Sequence, residues 1–111
     1  MIEVKYKVWI EKDGEILIGL GRETLLKEIE KTGSIRQAAE NMGITYRKAL
    51  YFLNAMEKRA GKKIVETFRG GPGGGGSRLT EYGKQLLDEF EKVVKEFERA
   101  KRKASKGLKI E

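Results

Sequence analysis

Arg47, Tyr51, Asn54 and Lys58 follow one another at intervals of four, three and four residues. At about 100° per residue, that spacing gathers all four on one side of a helix. Their chemistry suits the major groove of duplex DNA. An arginine donates two hydrogen bonds to guanine, an asparagine pairs bidentately with adenine, and a lysine neutralises phosphate. The other side of the same stretch carries Ala49, Phe52, Leu53, Met56 and Ala60, a face suited to burial. Thr45, Tyr46 and Lys48 belong to its first turn, the end that enters a groove. An ordinary amphipathic helix with a solvated charged face has the same pattern, so this stretch alone does not decide its role.

A second cluster follows. Arg69 and Arg78 flank a glycine tip comprising Gly70, Gly71, Gly73, Gly74, Gly75 and Gly76. Lys62 to Phe68 reads as a short strand before it, and Leu79-Thr80 as a returning strand after it. Strand, glycine tip and strand behind a helical pair is the layout of a wing. Glycine there lets backbone approach a sugar–phosphate ridge, with the two arginines reaching phosphate or a minor groove. Two other chemistries match the glycine run only in part. Gly71, Gly73 and Gly76 match G-x-G-x-x-G, but no βαβ unit surrounds them and no acidic residue stands about 20 positions on. A phosphate-binding P-loop needs Gly-Lys-Ser/Thr where Gly76-Ser77-Arg78 stands. A flexible linker is the bland alternative. The chain has no histidine or cysteine and no motif pairing a nucleophile with a base, so neither an enzyme nor a metal centre is expected, and no cofactor.

The elements that must hold these groups are legible around them. Ser34 to Met42 reads as a short helix, with Ser34 and Gln37 in capping-box spacing and Ile35, Ala38, Ala39 and Met42 on one face. Gly43 ends it, and Thr45 caps the next helix. Two helices crossing around so short a turn form a helix-turn-helix over 34–60. Before it, residues 1–20 predict a β-hairpin. Ile2, Val4, Tyr6, Val8 and Ile10 alternate along one strand, Asp13-Gly14 turns, and Ile16-Leu17-Ile18 returns. Tyr6 and Trp9 are expected in hairpin or core packing rather than at a binding surface. A helix at about 22–31 turns Leu25, Leu26 and Ile29 inward. After the wing (64–80), a long helix over 81–104 carries a broad apolar stripe, then a basic tail over 105–111. We assign Leu86, Phe90, Val93, Val94 and Phe97 of that stripe to a seam between two subunits; folding back onto its own core is the alternative. The fold class expected is mainly α with small β: one winged helix-turn-helix domain over 1–111, with the helical core at 21–63.

Charge separates partners. Of the net +7, residues 34–80 hold nine basic and three acidic groups, whereas residues 1–33 are slightly acidic. A surplus concentrated on the helix-turn-helix and wing attracts a polyanion. No apolar run approaches the roughly 20 residues of a membrane span, and no signal-peptide pattern opens the chain, so a cytoplasmic, membrane-free protein is expected. Ser34, Lys62 and Lys63 complete the residues assigned to DNA, beside Thr45, Tyr46, Arg47, Lys48, Tyr51, Asn54, Lys58, Arg69 and Arg78.

The run G-S-I-R-Q-A-A-E-N-M-G-I-T-Y-R-K-A, the Asn54-Ala55-Met56 triplet, the glycine tip and Leu79-Thr80-Glu81-Tyr82-Gly83 together resemble the N-terminal domain of ModE-type molybdate-responsive transcription regulators. More distantly they resemble the winged helix of LysR-type regulators. The resemblance is close over about residues 23–87. It implies a dimeric winged helix-turn-helix on a palindromic promoter site, with Thr45, Tyr46 and Arg47 heading the recognition helix. Molybdate sensing in that family belongs to C-terminal domains that do not follow here, so molybdate is not expected to bind this chain. A stand-alone DNA-binding domain and a fragment of a longer regulator both fit. The function expected is a sequence-specific, double-stranded DNA-binding regulator acting as a homodimer. A non-specific architectural nucleic-acid-binding protein is the alternative.

Overall fold

The computed structural model describes residues 2–70 and 75–110. Its elements run β1 (Trp9–Lys12), β2 (Glu15–Gly19), α1 (Leu20–Thr32), α2 (Ile35–Met42), α3 (Tyr46–Ala60), β3 (Val65–Phe68), β4 (Gly76–Leu79) and α4 (Glu81–Lys106). The wing-tip glycines Gly71, Gly73 and Gly74 lie outside the described residues.

Local chemistry sets the boundaries. Ser34 Oγ accepts from the Gln37 amide at 3.0 Å, and Thr45 Oγ1 from the Lys48 amide at 3.0 Å, so α2 and α3 each start on a hydroxyl cap. The capping box is only half made. The Gln37 side-chain amide donates to Asn41 instead of returning to the cap. Gly43, at φ 71°, takes the left-handed conformation that lets α2 stop and α3 start three residues later.

β1 and β2 form one antiparallel hairpin, β3 and β4 another. In the first, Ile10 pairs with Ile18 and Glu11 with Ile16, so Leu17 is an extra residue on β2. This bulge explains why neighbouring Leu17 and Ile18 are both buried, which strict alternation forbids. The core gathers Leu25, Leu26 and Ile29 of α1, Ala38 and Ala39 of α2, Leu53 and Met56 of α3, Ile64 and Val65, and Leu87 and Phe90 of α4.

Two expectations need correction. The long first strand shrinks to Trp9–Lys12; residues 2–8 run against α4 instead. There Tyr6 stacks on Phe97 with ring centroids 5.7 Å apart and donates to Glu98 at 2.8 Å. Trp9 is 47% exposed on the hairpin's outer side, donating to Glu11, so it is not core. Leu86 and Phe90, assigned to a subunit seam, are buried inside the protomer at 8% and 0% exposure. They face the protomer's own core, and Val94 packs partly against it, which leaves a partner Val93, the uncovered part of Val94 and Phe97 of the stripe.

Candidate nucleic-acid interface

α3 lies between the two hairpins. Arg59 donates to the Ile16 carbonyl at 2.6 Å, and Lys12 donates to the Ala60 carbonyl at 3.1 Å, so β1–β2 holds one flank. On the other flank, Glu57 Oε2 accepts from the amides of Ile64 (2.8 Å) and Val65 (3.2 Å), tying α3 to the root of β3. Ala49, Leu53, Met56 and Ala60 point into the core, and Phe52 is half-buried. Between these supports, Arg47, Lys48, Tyr51, Asn54 and Lys58 are all exposed, Tyr51 to 63%.

The wing is anchored at three places. The Ser77 amide donates to the Gly33 carbonyl at 2.8 Å, fixing β4 beside the α1–α2 turn. Thr80, which caps α4 by accepting from the Gly83 amide, also donates through its hydroxyl to the Lys63 carbonyl at 2.7 Å. Gly83 then packs its backbone onto Ile64. A Cβ there would press on the Ile64 carbonyl oxygen and lie 3.2 Å from its carbon. The glycine of Leu79-Thr80-Glu81-Tyr82-Gly83 is therefore a packing requirement where α4 crosses the wing's base.

Between wing and helices opens a cleft of about 330 Å³, lined by Ser34, Arg36, Tyr46, Thr67, Arg69 and Gly76 among others. Arg36 lies over the Tyr46 ring, 4.3 Å from its centroid. Arg36 of α2 and Arg69 of the wing both line this cleft beside the first turn of α3. That arrangement can seat a phosphate while α3 reaches base edges.

The remaining assigned residues divide by partner. Lys62 lies over the Tyr82 ring at 5.2 Å. Lys63 stands 3.4 Å from Glu57, and Arg78 bonds Glu66 at 2.7 Å, so a phosphate must compete with a carboxylate at both. The Ser34 and Thr45 hydroxyls are engaged as caps.

Three residues escaped the sequence. Arg36 sits in the first turn of α2, and only the crossing of α2 and α3 brings it to Tyr46. Glu57 is an acidic residue in a basic helix, with nothing in its spacing to announce two backbone amides. Arg22, from α1, places its guanidinium 5.1 Å from the Phe52 centroid, and Lys48 lies 5.8 Å from the same ring. Burial pushes the Arg22 guanidinium below its ordinary range, and nearby Arg59 adds to the effect. The basic count was the only signal for either arginine.

No family model matches the chain. Over 79 residues it is 40% identical to the transcriptional regulator ModE of Haemophilus influenzae, a stretch covering 71% of this chain and 31% of that protein. Over 70 residues it is 43% identical to ModE of Yersinia pestis, covering 63% of this chain and 27% of that one. Over those stretches the chain is similar to the ModE regulators. It spans less than a third of the length of these relatives. The DNA-binding transcriptional dual regulator ModE of Escherichia coli matches similarly, at 41% over 70 residues, 63% of this chain and 27% of that protein.

Solved structures agree on the winged-helix fold. The DNA complex of the CbnR DNA-binding domain superposes with a TM-score of 0.60 at 16% identity, over 78% of this chain and 94% of that one. ArgP from Mycobacterium tuberculosis superposes at 0.57 and 21% identity, over 76% of this chain and 29% of that one. Relatives and neighbours are regulators and DNA-binding domains rather than enzymes. Among the described residues no helix is long and apolar enough to cross a membrane, and no acidic cluster is arranged to hold a metal ion.

Proposed function

We propose that this chain is a sequence-specific, double-stranded DNA-binding module of a cytoplasmic transcription regulator, acting as a homodimer on a palindromic site. One observation carries it above the rest. The exposed row Arg47, Tyr51, Asn54 and Lys58 stands on a helix braced from both flanks, with Arg36 and Arg69 lining the cleft beside its first turn. Arg47, Tyr51 and Asn54, with Tyr46 at the head of the helix, carry base preference. Arg36, Arg69, Lys48, Lys58, Lys62, Lys63 and Arg78 supply phosphate contact and salt dependence. Two such modules joined through α4, along Val93, Val94 and Phe97, present their recognition helices to half-sites about 34 Å apart, one turn of duplex, or a multiple of it.

The test is selection from a random duplex pool, with the mass of the complex measured. An enriched palindrome bound by two chains is expected. Binding without enrichment makes the chain an architectural protein. On the selected site, Arg47→Ala should cost about 1–3 kcal/mol and almost nothing on random duplex. Equal losses on both would reduce Arg47 to a backbone contact.

A further inference from the structure

The segment before the first hairpin has a strand's alternation without a strand's partner. Val4, Tyr6, Val8 and Ile10 are half-buried, while Glu3, Lys5, Lys7 and Trp9 are exposed. Pairing with β2 begins only at Trp9, opposite Gly19, so residues 2–8 overhang the hairpin as a strap on α4. The Val4 amide is taken by Ser105 Oγ at 3.1 Å. Successive residues of an extended chain turn their backbone groups to opposite edges. The edge bearing the groups of Glu3, Lys5 and Lys7 makes no backbone hydrogen bond among the described residues. An open edge of this kind is a template for another strand.

We infer that this edge pairs with the same edge of a second copy, antiparallel and centred on Val4; the pairing rests on the homodimer proposed above. The charges choose the register. Residues opposite one another in an antiparallel ladder share a face, and like charges placed opposite are unfavourable. Centred on Val4, the ladder sets Glu3 against Lys5 of the second copy twice over, and Ile2 against Tyr6. Centred on Lys5 it keeps two opposite-charge pairs, Glu3 with Lys7, but adds lysine against lysine, and centred on Tyr6 it sets Lys5 against Lys7 twice. Within one chain Lys5 and Glu3 already form a 2.9 Å ion pair, so dimerisation exchanges a local partner for an equivalent one. The ladder also lies over the part of α4 where Phe97 is 46% exposed, joining strap and helix in one interface.

The chain has no cysteine, so Val4→Cys introduces a single thiol. At the centre of the ladder the two thiols occupy a non-hydrogen-bonded pair with Cα atoms about 4.5 Å apart, inside disulfide range. Mild oxidation of full-length Val4→Cys should give mostly covalent dimer, and Val8→Cys should not. Glu3→Lys and Lys5→Glu should each weaken self-association about tenfold, and an equimolar mixture should recover it as a heterodimer. An ion pair confined to one chain cannot be rescued by mixing. If sedimentation reports a dimer but Val4→Cys stays unlinked and mixing restores nothing, strap pairing is overturned while the homodimer stands. A monomer at every concentration removes both.

Discussion

Removing the Glu57 carboxylate should loosen the wing and cost more than any exposed ion pair. Its side chain is 15% exposed, and Oε2 holds two amides, those of Ile64 and Val65, which are themselves 0% and 6% exposed. Glu57→Ala leaves both of these amides, on buried residues, without their acceptor. A hydrogen bond to a charged group contributes about 1.5–3 kcal/mol, and stranding a buried donor costs about 1–3 kcal/mol. Because the two bonds share one oxygen these figures overlap, and the Lys63 pair, with its lysine largely in solvent, adds little. The total is about 2–4 kcal/mol. At about 4–8 °C per kcal/mol for a domain near this size, Tm should fall by roughly 10–25 °C. Urea unfolding followed by Trp9 fluorescence and far-ultraviolet dichroism measures it. Glu57→Gln keeps a neutral acceptor and should recover about half of the loss. A Glu57→Ala midpoint within about 0.5 kcal/mol of the parent would mean the amides find another acceptor, and the brace described here would be wrong.

Two further outcomes follow from the same packing. Gly83→Ala adds a good helix former inside α4, worth about 1 kcal/mol in a free helix. Here the methyl group meets the Ile64 carbonyl, so thermal unfolding should show a net loss of about 1–3 kcal/mol, and a raised Tm would contradict it. Burial lifts the Glu23 carboxyl above its ordinary 4.5, with Lys27 opposing and Glu91 adding to the rise. A carboxyl that binds its proton more tightly when folded loses stability as it ionises, so its penalty grows as pH climbs above 4.5. Glu23→Gln should gain on the parent in urea midpoint between about pH 3 and pH 7; a gap that is constant or reversed across that range would refute it.

The helix-turn-helix was legible because its signals are local. Ser34, Gly43 and Thr45 act within a few residues of themselves, and the apolar side of α3 reports burial wherever the helix ends up. The strap was misread for the opposite reason. Alternation through Val4, Tyr6 and Val8 reports that one face is covered, and it says nothing about whether a strand or a helix covers it. The apolar stripe through Leu86 and Phe90 has the same limit: a stripe demands a cover, and α1 with the wing's base supplies it for the first half of α4. Arg36 and Glu57 belong to the site only through contacts between elements. Arg36 meets Tyr46 across a helix crossing, and Glu57 reaches amides seven and eight residues on. No spacing rule encodes either.

The division of labour on α3 bears on how such a protein changes its target. Ala49, Leu53, Met56 and Ala60 hold the helix in place, and Arg47, Tyr51, Asn54 and Lys58 share no position with them. Exposed substitutions away from caps and buried networks shift stability by only about 0.5 kcal/mol. The face proposed to read DNA can therefore change one residue at a time with each intermediate still folding, so partner preference is free to drift without a cost to the scaffold.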